Sequence, residues 1–98
     1  MPHIGHFYSS MIADVIARYH KISGYDMRFT TGIDENSQKS VLKAEEEGLK
    51  LEEYLDRMAE LHKNTWDETG IDYTDFIRTT EKRHHDVVRE VLQYCYDK

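Results

Sequence analysis

Two stretches of the sequence, "YDMRFTTGID" and "IDYTDFIRTT", are all that reads as extended chain, and helical patterns surround both. In the first, Met27, Phe29 and Thr31 fall on one side, as a half-buried strand requires. The order is helix, strand, helix, helix, short extended piece, helix, which suits an α/β fold with a parallel sheet. A buried parallel strand needs neighbours on both sides to pair its N–H and C=O groups. One strand and one short extended piece cannot supply them, so the chain reads as part of a domain.

The helices are marked by apolar residues three and four apart. From Phe7 to Ser23, the residues Phe7, Met11, Ile12, Val15, Ile16, Tyr19 and Ile22 form one stripe, and Gly24 is a suitable stop. Asn36 or Ser37 can cap a second helix with Val41, Leu42 and Ala44 inward, ending at Gly48. "LEEYLDRMAELHKNTWDETG" is a third, with Leu51, Tyr54, Leu55, Met58, Leu61 and Trp66 as its stripe, His62 at the boundary and Gly70 closing it. Thr79 or Thr80 is expected to cap a fourth, which turns Val87, Val88, Val91, Leu92 and Cys95 inward.

Composition narrows the function. With 98 residues there is room for one small domain. No apolar run approaches the roughly 20 residues that span a bilayer, and nothing resembles a signal peptide. A soluble, cytoplasmic protein with no membrane contact is expected. Cys95 is the single cysteine, so internal disulfides and Cys-rich zinc patterns are excluded, and between Tyr94 and Tyr96 it reads as a core or interface thiol. The net charge of −6 argues against a polyanion-gripping surface here, since only Lys82-Arg83-His84-His85 groups basic residues.

The remaining feature is "PHIGH" at the start. A glycine at the turn into a helix lets a ligand approach the backbone, and the helix N-terminus offers N–H groups and partial positive charge to phosphate. Histidines beside it can donate to a phosphate whose charge is redistributing. That is a coherent site for a nucleoside triphosphate. A metal site using His3 and His6 with His84 and His85 lacks companion ligands at a convincing spacing. Two ordinary histidines on a frayed terminus are the third reading.

"PHIGH", then "ADVIARYHKISGYDMRFTTGIDENSQK" and "YTDFIRTT", in that order and spacing, resemble the methionyl-tRNA synthetases, a class I aminoacyl-tRNA synthetase family, over nearly the whole chain. The resemblance implies that residues 1–98 are the incomplete N-terminal part of a Rossmann-like α/β catalytic domain, mostly helical in this piece. It implies a methionine–tRNA ligase that uses ATP, with Mg2+, to make methionyl-adenylate and passes the methionyl group to tRNA. His3, Ile4, Gly5 and His6 match the HIGH signature, which binds ATP, and whose histidines stabilise the transition state. Asp34 matches the aspartate that holds the methionine α-amino group; it could equally be a helix N-cap or first-turn residue. No metal ligand is implied in this piece. The chain departs from the family in Asn36-Ser37, where His-Gly is more common, and only Met1 and Pro2 stand where the family has a strand. The KMSKS loop, the connective domain and the anticodon-binding domain would follow Lys98, and tRNA would be held there. The isolated piece is expected to be inactive and partly molten or self-associated. Two other functions remain open: a non-catalytic helical binding module, and a class I synthetase for another amino acid such as cysteine.

Overall fold

The computed structural model describes residues 2–98; Met1 lies outside the described residues. Six elements follow in order: α1 (Ile4–Ile22), β1 (Thr30–Ile33), α2 (Gln38–Glu46), α3 (Leu51–Thr69), β2 (Asp75–Arg78) and α4 (Lys82–Tyr96). The chain is mostly helical around a two-stranded sheet. β1 and β2 pair in parallel, with Thr30 opposite Asp75 and Ile33 opposite Arg78. A parallel pair needs a long crossover, and α2 and α3 provide it.

α1 starts earlier than its apolar stripe suggests. His3 is extended (φ −123°, ψ 177°) and caps the helix, so the first turn covers Ile4 to Phe7. Ser37 caps α2 as expected, its hydroxyl accepting from the Ser40 N–H at 3.2 Å. α3 ends at Gly70, whose left-handed φ of 78° a residue with a Cβ would adopt only under strain.

The main core joins Ala17 of α1, Phe29 ahead of β1, Ala59 and Trp66 of α3, Ile71 in the loop after α3 and Phe76 of β2. Phe7, Ala13, Met27, Ile33 and Tyr73 pack around it. A second, smaller core seats Ala44 of α2 on Tyr54 and Leu55 of α3. α1 is also stapled by its buried Asp14, which accepts from the Asp72 N–H at 2.8 Å and from Arg18 Nε at 2.7 Å. Arg18 reaches on to the Gly70 carbonyl at 2.5 Å, tying α1 to the end of α3.

Several expected core positions lie outside these clusters. On α1 the buried face is Asp14 and Ala17, whereas Met11, Ile12, Val15, Ile16, Tyr19 and Ile22 are exposed, Ile22 to 87%. Val41 and Leu42 of α2 and Leu51 of α3 are likewise exposed beside buried Ala44 and Tyr54. α4 buries none of its residues, so Val87, Val88, Val91, Leu92 and Cys95 all face outward. The cause is shape: the chain is a slab of 46 × 42 × 19 Å, with a radius of gyration of 16.2 Å against about 13 Å for a compact domain this long. Its accessible surface of 7699 Å² exceeds the roughly 5,900 Å² expected for its mass. In so thin a body an apolar stripe has one neighbour at most.

The fourth helix is not capped by threonine either. Glu81 is its N-cap, with no side-chain capping bond. Thr79 and Thr80 instead turn their hydroxyls back to Glu35 after β1, at 2.8 Å and 2.7 Å.

Candidate functional site

The first turn of α1 is built by reciprocal histidine caps. His3 Nδ1 accepts from the Gly5 N–H at 3.1 Å, and His6 Nδ1 accepts from the His3 N–H at 3.1 Å. The two rings stack with centroids 3.8 Å apart. A neutral imidazole has one N–H and one lone pair. With both Nδ1 atoms accepting, each ring carries its proton on Nε2, and among the described residues neither Nε2 has a hydrogen-bond partner. Two N–H donors are thus left free by the same contacts that cap the helix. Gly5 makes the arrangement possible: a Cβ there would meet His3 Cε1 at 3.0 Å and Nδ1 at 3.1 Å. The close approach expected of a ligand at Gly5 is made by the His3 ring.

This turn stands at one wall of a cleft of about 960 Å³, which Gly5, His6, Ser9 and Ser10 line from α1. Thr31 to Ile33 of β1 and, just past it, Asp34 and Glu35 also line the cleft, as do Lys39 and Lys43 of α2 and Met58, His62 and Trp66 of α3. His6 and Asp34, distant in sequence, therefore face one space. His3 and Ile4 are not on its wall, and Ile4 is largely exposed. Clefts at the carboxyl ends of parallel strands are where ligands bind in α/β sheets, and Asp34 is the first residue past β1.

Among the described residues, the unpaired cations lining the cleft stand on α2. Burial and the neighbouring His3 and His62 rings hold the His6 imidazole below its usual range, so it is neutral at pH 7. His62 Nδ1 lies 2.9 Å from the Met58 carbonyl. A carbonyl can only accept, so His62 donates from Nδ1. Lys39 and Lys43, one turn apart on α2, have no ion-pair partner among the described residues, whereas Arg57 reaches Glu47 at 3.4 Å. Lys82-Arg83-His84-His85 lies outside the cleft, with Arg83 paired to Asp75 and Glu81. Among the described residues no three His, Cys, Asp or Glu side chains are grouped to hold a metal ion.

Comparison with known proteins decides the family, because the description "tRNA synthetases class I (M)" matches residues 1–98. This chain belongs to the class I (M) tRNA synthetase family. It is 45% identical over 95 residues to the methionine–tRNA ligase of Bacillus subtilis (strain 168), covering 97% of this chain and 14% of that protein. The corresponding enzyme of Ureaplasma parvum serovar 3 is 44% identical, over 97% of the chain and 18% of its own length. Methionine–tRNA ligase 1 of Bacillus cereus is 42% identical over 98% of the chain. The chain thus spans about a sixth of the length of these relatives.

Within this synthetase chain, several cleft and near-cleft residues escaped the sequence reading. Lys39 and Lys43 carried a signal, their four-residue spacing, which was not used. Glu35 carried none: it is 3% exposed, and an acidic residue in a polar run gives no sign of burial. Its partner Arg78 donates from Nε and Nη2 at 2.9–3.2 Å and also pairs with Asp56 at 2.7 Å, which holds its guanidinium firmly charged. Among the described residues, no helix is long and apolar enough to cross a membrane.

Proposed function

We propose that residues 1–98 are the N-terminal part of a Rossmann-like catalytic domain of a cytoplasmic methionine–tRNA ligase, and that the cleft handles ATP and methionine. One observation carries this: His6 and Asp34 line the same cleft, together with Lys39 and Lys43. ATP would lie against the α1 turn, on Gly5 and His6 in the cleft, and reach His3 and Ile4 beside them, and methionine would place its ammonium on Asp34 through a charge-assisted hydrogen bond.

In the reaction, a methionine carboxylate oxygen forms a bond to the α-phosphorus as the bond to the bridging oxygen breaks. Pyrophosphate leaves and methionyl-adenylate remains. Negative charge grows on the phosphate oxygens, and the Nε2–H groups of His3 and His6 would donate to them. Donors set in advance in this way contribute about 10²–10³ in rate. Because the helix caps fix the rings before substrate arrives, no reorganisation accompanies the step. Lys39 and Lys43 add positive charge for the leaving pyrophosphate. Mg2+ would enter on the ATP phosphates. The residues described here do not form a cluster to hold it, and no step is routed through it. The second step, transfer to tRNA, would use tRNA-binding parts beyond this chain, consistent with the net charge of −6.

Pyrophosphate exchange by the full-length protein, run against each of the twenty amino acids, tests this. Exchange stimulated by methionine alone is expected. Stimulation by cysteine would instead support a synthetase for another amino acid, and no exchange with any would support a non-catalytic module.

A further inference from the structure

The side chain facing Asp34 from β2 is unassigned by anything above. The parallel register sets Ile33 opposite Arg78, and one residue further on, where the strands end, Asp34 stands opposite Thr79. The ladder does not stop on open backbone there. The Thr79 N–H donates to the Ile33 carbonyl at 3.3 Å, and the Glu35 N–H, in place of a main-chain acceptor, donates to Thr79 Oγ1 at 2.8 Å.

A hydroxyl has one proton to give. Since Thr79 Oγ1 accepts from Glu35, that proton must go elsewhere, and the acceptor it meets is Asp34 Oδ1 at 3.5 Å. The same oxygen accepts from the Asn36 N–H at 3.4 Å. Both protein contacts therefore fall on Oδ1, and among the described residues Oδ2 has no hydrogen-bond partner. Below them the backbone is pinned: the Glu35 side chain is wholly buried, gripped by Arg78 and by Thr80 Oγ1 at 2.7 Å. Asn36 adds a bond from Nδ2 to the Thr79 carbonyl at 3.4 Å.

We propose that Thr79 is a positioning residue: it holds Asp34 by Oδ1 so that Oδ2 is the oxygen offered to the ammonium of the amino-acid substrate. This rests on the proposed role of Asp34. Thr79 touches no substrate; it acts through the carboxylate it orients. The Arg78–Glu35–Thr80 grip fixes the height of the strand ends, and Thr79, together with the Asn36 N–H on the same oxygen, sets the rotation of the Asp34 carboxylate.

The test is pyrophosphate exchange by the full-length enzyme, with KM measured separately for methionine and ATP. Asp34→Ala comes first: a rise in methionine KM with ATP KM unchanged is expected, and its absence overturns the role of Asp34 and this inference with it. Thr79→Val, which keeps the shape and removes the hydroxyl, should raise methionine KM by roughly 3- to 10-fold, the range for one hydrogen bond to a substrate-holding group. ATP KM should not move, and Thr79→Ser should restore the wild-type value. Thr80→Val, which also loosens Glu35, should lower thermal stability and leave methionine KM in place. If Thr79→Val does not fold, Thr79→Ala, which lets water reach the Glu35 N–H, carries the same expectation. A wild-type methionine KM in the folded Thr79 variant of an enzyme that responds to Asp34→Ala overturns the inference and leaves the proposed function standing.

Discussion

Gly32 sits in β1 opposite Ile77, two residues before Asp34. A Cβ added there would lie 2.2 Å from the Ile77 carbonyl oxygen and 2.6 Å from Ile77 Cγ2. Its φ is not positive, so alanine meets no backbone strain and the whole effect comes from contact. The oxygen is about 1 Å too near for an ordinary van der Waals contact, and it is backbone, which cannot rotate away. To admit the methyl group, β1 and β2 must part by about that distance, which stretches their ladder bonds past useful length. Overpacking costs about 1–3 kcal/mol and each lost bond about 1 kcal/mol, so Gly32→Ala should cost about 3 kcal/mol locally. The assay is amide hydrogen exchange in the full-length protein, read on peptides covering 27–36 and 73–80. Local opening there should become roughly a hundredfold more frequent. Ile77→Ala in the same chain removes Cγ2 and leaves the carbonyl, so it should rescue little. Unchanged protection in Gly32→Ala, or full rescue by Ile77→Ala, would refute the reasoning.

Acid should loosen the α1 turn. The folded state holds His6 below the imidazole pKa of the unfolded chain, so its contribution to stability is complete above about pH 6.5 and declines as pH falls through the lowered value. Protonated Nδ1 can no longer accept from the His3 N–H, and exchange at residues 3–6 should accelerate between pH 7 and 5; a pH-independent rate there, after correction for intrinsic exchange, would contradict it. Trp66 is 3% exposed at the centre of the main core, so Trp66→Ala should cost about 3–5 kcal/mol, checked by loss of protection across α1, α3 and β2. The 98-residue chain on its own, with apolar faces of α1 and α4 open, should bind a hydrophobic dye and melt without a sharp transition. A cooperative melt of a monomer in the ultracentrifuge would count against that.

What could be read from the sequence depended on whether the signal was local. Alternation placed Met27, Phe29 and Thr31 on one side of the extended segment, and Phe29 is buried there. Ser37 and Gly70 mark helix ends because capping needs only adjacent residues. The apolar stripes of α1 and α4 were read correctly as apolar and wrongly as buried. Periodicity says which side of a helix is apolar, and burial depends on what lies against it. Thr79 and Thr80 look like helix caps for the same reason: their hydroxyls suit an N-cap, and nothing local reveals the Glu35 carboxylate and N–H that claim them. At the site, PHIGH pointed to the α1 turn, and the family resemblance pointed to Asp34. Their meeting in one cleft, which Lys39 and Lys43 also line, is a consequence of the crossover through α2 and α3.

The decisive measurement separates the two jobs of the α1 histidines, capping the helix and donating to phosphate. In the full-length protein, His3→Asn keeps a good N-cap acceptor, and His6→Gln keeps the reciprocal cap from the third helical position; both delete an Nε2–H. Methionine-dependent pyrophosphate exchange should fall about 10²–10³-fold in each, with protection of the α1 amides unchanged. Exchange at the wild-type rate in both capped variants would make the histidines structural caps only, and would contradict the proposed site.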